Sequence, residues 1–247
     1  MTTTAAAHDG DAPSARTALV TGASRGIGAE VARGLAARGV RVALLSRGEG
    51  PLRSLAHELG AGALAVPCDA SDTTDVERAI AAIADSFDGG PDIVVNNAGA
   101  FLIAAAHETS VADFRSTLEV NLTAPFAFAR AFVPAMRARA RGHIVTIGSI
   151  ADRNVFPGNA AYAASKHGLR AFHEVLRAEL RGTGVRASLV SPGPVDTALW
   201  DEIDPDSQPG FTPRAQMLSA ADVADAVLYV LSAPAMMNVD ELRLSRS

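Results

Sequence analysis

"TALVTGASRGIG", residues 17–28, decides how the whole chain is read. Its first five residues are apolar or β-branched, the composition of a strand buried on both faces. Glycines then fall at Gly22, Gly26 and Gly28, and a helical pattern opens in which Ile27, Val31 and Leu35 recur four apart. A backbone bare of side chains at those points turns tightly and approaches a pyrophosphate, whose charge the N-terminal end of a helix favours. A glycine turn without a ligand has the same composition, so the rest of the chain must supply the context.

Outward from that stretch, short β-rich runs alternate with longer helical patterns. "RVALL" (41–45), "ALAV" (63–66), "DIVV" (92–95), "HIVTIG" (143–148) and "RASLVS" (186–191) read as further buried strands, and "ELRL" (241–244) as a seventh. The first helix stops at Gly39, while "DTTDVERAIAAIADSF" (72–87) and "AADVADAVLYVLSA" (220–233) carry acids early, where a helix dipole favours them. Two helices are expected between Val111 and Arg141, and Tyr162 falls early in another. The pattern predicts one α/β domain over residues 16–247, with a doubly wound, Rossmann-type parallel sheet of seven strands flanked by helices. Residues 1–15 are expected to be a disordered tail. The Pro-, Asp- and Gly-rich stretch at about 193–216 is expected to be a substrate lid, since a loop of that length beyond a strand end is usually functional.

Composition narrows the function classes. A net charge of −5, with 27 acids against 22 bases, gives no electrostatic reason for a nucleic-acid partner. Cys68 is the one cysteine, so no disulfide forms within the chain, and a cytoplasmic location is expected. No apolar run reaches the ~18 residues of a membrane span. The six histidines show no metal-ligand spacing, and no Gly-x-Ser-x-Gly elbow supports serine hydrolysis.

"AYAASKHGLRAF" (161–172) places Tyr162 and Lys166 on one helix face. Alone, the pair fits an ordinary amphipathic margin. An ammonium near a phenol also lowers a pKa that is otherwise ~10, which suits proton transfer. The order of motifs favours the second reading. The spacing Gly22-x-x-x-Gly26-x-Gly28, "NNAG" (96–99), Asn121, Ser149, Tyr162-x-x-x-Lys166 and "PGPVDT" (192–197) resembles the short-chain dehydrogenase/reductase family over most of the chain.

That resemblance implies a catalytic tetrad of Asn121, Ser149, Tyr162 and Lys166. Tyr162 would exchange a proton with the substrate oxygen, and Ser149 would hydrogen-bond the same atom. Lys166 would tune Tyr162 and hold the nicotinamide ribose. Asn121 would position a water leading from Lys166 to solvent. Cofactor contacts are expected from Gly22, Ser24, Arg25, Gly26, Ile27 and Gly28, from Asp69 and Ala70 towards adenine, and from Asn97, Ala98 and Gly99 beside the adenosine. Pro192, Gly193, Val195 and Thr197 would meet the nicotinamide end. Ser46 and Arg47 end the second strand where an acid would favour NAD, and with Arg25 they favour NADP(H), since paired guanidinium donors suit a 2′-phosphate. NAD(H) is the less favoured cofactor.

The expected activity is NADPH-dependent, reversible reduction of a ketone or aldehyde to an alcohol. Phe101, Leu102, Asn154 to Phe156, Leu199 and Trp200 are candidate substrate walls. A 3-oxoacyl-carrier-protein reductase is an alternative, although the tail "NVDELRLSRS" departs from that pattern. A non-catalytic NADP-binding regulator is another. A homotetramer or homodimer is expected by resemblance.

Overall fold

The computed structural model describes residues 16–60 and 62–247; the tail expected over 1–15 lies outside the described residues. The first half runs β1 (Thr17–Thr21), α1 (Gly26–Ala36), β2 (Arg41–Ser46), α2 (Glu49–Leu59), β3 (Leu64–Pro67), α3 (Thr73–Ser86) and β4 (Ile93–Asn96). The second half continues with α4 (Val111–Leu118), α5 (Ala124–Ala138), β5 (Gly142–Ile147), α6 (Ala160–Glu179) and β6 (Val185–Pro192). It ends with β7 (Val195–Asp196), β8 (Leu218–Ser219), α7 (Ala220–Ser232) and β9 (Glu241–Leu244).

Seven strands form one sheet in the order β3-β2-β1-β4-β5-β6-β9, and every pairing in it is parallel. This is the doubly wound arrangement that the alternation predicts. The order reverses between β1 and β4, so a crevice opens at their carboxyl ends, the usual ligand position in such sheets.

Burial follows from the runs themselves. Alternate strand residues feed two cores: Ala18, Val20 and Val95 pack with α1, α2 and α7 on one face, while Leu19, Val94 and Ile144 pack with α3 and α5 on the other. At Gly34 of α1, a Cβ would fall on the Leu228 side chain of α7, so a bare backbone there lets the two helices close together.

The segment expected to be a lid is not one long loop. Its ends pair as β7 with β8, and two 3₁₀ turns, Ala198–Trp200 and Arg214–Gln216, lie between them. Arg214 knits the segment, donating to Asp196 Oδ1 at 2.7 Å and Asp201 Oδ1 at 2.6 Å.

Two buried histidines underlie the second half. His143 Nε2 lies 2.8 Å from Ser188 Oγ, His173 Nδ1 lies 3.0 Å from Thr146 Oγ1, and each ring is 1% exposed. Burial pushes His143 down to about 3 and His173 to about 4. The unfolded chain takes up these protons near the ordinary 6.5, whereas the native chain resists until far lower pH. Their stabilising contribution is therefore complete above about pH 6.5 and drains as pH falls towards 4. The urea midpoint should drop clearly between pH 7 and pH 5; a flat midpoint would contradict neutral burial of both rings.

Candidate active site

The glycine loop is built at the crevice. Gly22 and Gly26 take φ of +66° and +57°, the left-handed region that favours glycine. A Cβ on Gly28 would strike the Gly22 carbonyl and come within 2.6 Å of Asn97 Nδ2. Helix α1 starts at Gly26 with no side-chain cap and no acid in its first turn, unlike α3, α4 and α7. Its first N–H groups are thus left for a ligand, and an anionic one suits their polarity.

The "NNAG" loop is tied to this cradle. Asn97 Nδ2 donates to Thr21 O at 2.9 Å, while the Asn97 and Ala98 N–H groups donate to Thr21 Oγ1 at 3.0 and 2.9 Å. Thr21, which leads into the glycine loop, thus ties the "NNAG" loop to it through one hydroxyl. Thr197, at the start of the lid, packs its methyl group against the Gly26 position.

At the end of β2, Ser46 is buried and its hydroxyl has no protein partner, while Arg47 and Arg25 are exposed. Glu49, the nearby acid, opens α2 and bonds Arg53 Nε at 2.8 Å. Asp69 takes two bonds from Ser71, at 2.9 Å from the N–H and 2.7 Å from Oγ, which hold its carboxyl below the usual range. The Arg47 charge adds to that lowering. A loop rich in open N–H groups, glycines that a Cβ would fill and two exposed guanidinium groups form a donor set that fits a phosphorylated dinucleotide. Pro192 ends β6, Gly193 donates to Leu244 O at 2.8 Å, and Val195 is buried in β7, so the "PGPVDT" residues sit at the same strand ends. Ser24, Ala70 and Gly99 lie in the loops that rim this crevice, and Ile27 in the first turn of α1.

Asn121 lies in a π-helical turn, Glu119–Thr123, between α4 and α5. It is fully buried, accepting from Ala100 N at 2.7 Å and donating to Ala100 O and Ser165 Oγ, both at 2.9 Å. Its amide clamps the "NNAG" loop to α6. Both Nδ2 protons are taken, and Oδ1 accepts one bond, from Ala100 N.

Ser149, Tyr162 and Lys166 come together. Ser149 follows β5 and caps a 3₁₀ turn, Ile150–Asp152, accepting from Ala151 N at 3.1 Å. Lys166 is 5% exposed; its Nζ donates to Ile147 O at 3.0 Å and sits 5.7 Å from the Tyr162 ring centre. Burial lowers Lys166 to about 8, and the Asp152 charge works against that. The spacing of Tyr162 and Lys166 predicts a depressed phenol; in the protein itself the direction is reversed. Burial pushes Tyr162 above its ordinary value, Ser149 opposes this through its side chain, and the Asp152 charge reinforces it.

Asp152 is the residue that sequence reasoning missed. It is 1% exposed, accepts from Ser191 Oγ at 2.6 Å and lies beneath Gly148, where a Cβ would come within 2.9 Å of its Oδ2. Arg153 reaches Asp152 at 3.3 Å and grips Glu241 of β9 with two bonds of 2.5 and 2.7 Å. An Asp next to an Arg just past a strand end reads as a solvated acid, and nothing local signals its burial.

The predicted substrate walls divide. Phe101 bridges Tyr162 and Trp200, with its ring centre 4.7 Å from the Tyr162 ring and 5.2 Å from that of Trp200. Val155 and Phe156 instead line a groove of ≈ 470 Å³ with Ala106, Ala163 and His167, whose walls do not include Tyr162, Ser149 or Trp200. Among the described residues no cluster of His, Cys, Asp and Glu could hold a metal ion, and no helix is long and apolar enough to cross a membrane.

The sequence profile of the short chain dehydrogenase family matches residues 16–208, and the chain belongs to that family. An uncharacterized oxidoreductase of Staphylococcus epidermidis is 33% identical over 229 residues, 93% of this chain and 96% of that protein. Among solved structures, a metagenomic short-chain oxidoreductase in complex with NADP is 33% identical at a TM-score of 0.80, covering 94% of this chain and 97% of its own. An alcohol dehydrogenase from the archaeon Thermococcus sibiricus, complexed with 5-hydroxy-NADP, is 31% identical at a TM-score of 0.82, over 93% and 95% of the two chains.

Proposed function

We propose that this protein is an NADP(H)-dependent oxidoreductase that reduces a ketone or aldehyde to an alcohol, with Tyr162 as the proton donor. The observation that carries the reading is the state of Tyr162. The phenol, protonated at neutral pH by its ordinary value of ~10 and pushed further up by burial, lies beside a hydroxyl and an ammonium at the mouth of the crevice. A protonated phenol is the donor that carbonyl reduction requires, and the same oxygen takes the proton back in the reverse oxidation.

The residues divide the work as follows. Ser149 donates to the carbonyl oxygen as negative charge develops there, and Tyr162 delivers its proton to the same atom. Lys166, anchored by Ile147 O, holds the ribose hydroxyls and restrains the ring beside it. Asn121 fixes the loop and helix that set these distances. When bound, NADPH supplies the hydride. Arg25 and Arg47 take the 2′-phosphate, and the N-terminus of α1 takes the pyrophosphate. The NADP complexes of the similar structures agree with this choice.

Two measurements check the proposal. Oxidation of NADPH should follow addition of simple ketones or aldehydes, and absence of turnover across aldehydes, cyclic ketones and 3-oxoacyl thioesters would count against it. Replacing both Arg25 and Arg47 by Ala should weaken NADPH binding ~10²–10⁴-fold while NADH binding changes little, because each charge-assisted phosphate contact contributes about 1.5–3 kcal/mol. Equal loss for both cofactors would refute the 2′-phosphate role.

Helices α5 and α6 present Phe126, 48% exposed, and Val175, 57% exposed, with Phe126 edge-on to Phe172 at 5.6 Å. These faces are proposed to pair with a second copy; a monomer in analytical ultracentrifugation would count against that.

A further inference from the structure

Phe101 comes from the loop after β4 and Trp200 from the first 3₁₀ turn of the lid, 99 residues later. Their rings meet at 68°, and Phe101 meets Tyr162 at 74°. Phe211 continues the series, 6.1 Å from Trp200 at 76°. Edge-to-face contacts of this kind turn ring faces and edges alternately towards each other, the arrangement that aromatic quadrupoles prefer. Trp200 is held in place by a bond from Nε1 to Val195 O at 3.0 Å.

The charges around this series are committed elsewhere. Arg214 is bonded to Asp196 and Asp201, and Arg153 to Glu241. Asp201 and Glu202 are exposed beside Trp200. The aromatic side of Tyr162 thus meets no free guanidinium from these residues and an acidic rim from the lid, which disfavours an anion there.

We propose that Phe101 and Trp200 are specificity-determining residues that clasp a flat, uncharged aryl or conjugated ketone and set its carbonyl against Tyr162. The inference rests on the reading of Tyr162 as the proton donor and adds the class of substrate. A flat ring entering between Phe101 and Trp200 replaces their mutual contact with two contacts of the same type. A puckered saturated ring of the same size makes neither.

The test compares acetophenone with cyclohexyl methyl ketone, which share a skeleton and differ in planarity. Their intrinsic reactivities differ, so the readout is the ratio of the two kcat/KM values relative to wild type. Trp200→Leu and Phe101→Leu should each lower that ratio about three- to tenfold, the effect of one lost aromatic pair, with the KM for NADPH unmoved. Trp200→Phe should restore most of it. Benzoylformate, the carboxylate-bearing analogue, should be a poor substrate.

Trp200 is the only tryptophan in the chain, so its emission reports on the clasp without turnover. In Tyr162→Phe saturated with NADP⁺, 1-phenylethanol should change that emission saturably and at lower concentration than 1-cyclohexylethanol. An unchanged ratio in both leucine variants, or benzoylformate reduced as well as acetophenone, would overturn the proposal. If the wild type reduces none of these ketones, the fault lies with the proposed activity, and the emission titration still decides the clasp. Equal response to the two alcohols would then refute it.

Discussion

Tyr162→Phe should lower kcat for carbonyl reduction by about 10³-fold while leaving the NADPH affinity within a few-fold of wild type. The substitution removes one oxygen and keeps the ring, so the edge contact with Phe101 at 4.7 Å survives. What disappears is the proton for the alkoxide, and positioned general acids contribute ~10²–10⁴ in rate. The wild-type pH profile should carry a matching signature. Lys166 has its pKa lowered to about 8, so its charge fades as pH rises past that value. Tyr162 is pushed above its ordinary 10 and remains protonated there. Reduction should therefore be level near neutrality and decline first with Lys166. Rapid stopped-flow measurement of NADPH oxidation checks both effects, and near-normal turnover by the phenylalanine variant would remove Tyr162 as the acid.

Gly28→Ala should abolish useful cofactor binding. The new methyl group would meet the Gly22 carbonyl and stand 2.6 Å from Asn97 Nδ2. Neither neighbour can yield cheaply. Gly22 is fixed in a positive-φ turn, and Asn97 is bonded to Thr21 O. Overpacking of this type costs about 1–3 kcal/mol in stability. The larger effect falls on geometry, because the N-terminus of α1 must shift away from the phosphates and its N–H groups lose their reach. Titration with NADPH, alongside circular dichroism to confirm folding, measures the loss. Unaltered affinity in a folded variant would show that the loop is not the phosphate cradle.

The strands were legible because each is a short apolar run buried on two faces, and the structure moves their ends by one residue or so. Strand 143–148, for example, appears as Gly142–Ile147. Tyr162, Lys166 and the glycines were legible for a different reason: their spacing is local and each position has few chemical uses. Asp152 was not legible, since its partner Ser191 lies 39 residues away and Glu241 reaches it only through Arg153. The meeting of Phe101 with Trp200 depends on how the lid folds back, which no periodicity encodes. The direction of the Tyr162 shift escaped for the same reason. Sequence places the cation beside the phenol, but only the packed structure says how much water has been removed around both.

The grip of Arg153 on Glu241 ties the last strand of the sheet to the turn that carries Ser149. Shortening the chain before β9 would do more than fray an edge. It would strip Arg153 of its two bonds to Glu241 and leave Asp152, at 3.3 Å, as its remaining acid. Strand β9 is thus a structural tether for the reactive centre, and changes near it must leave Glu241 to Leu244 in register with β6.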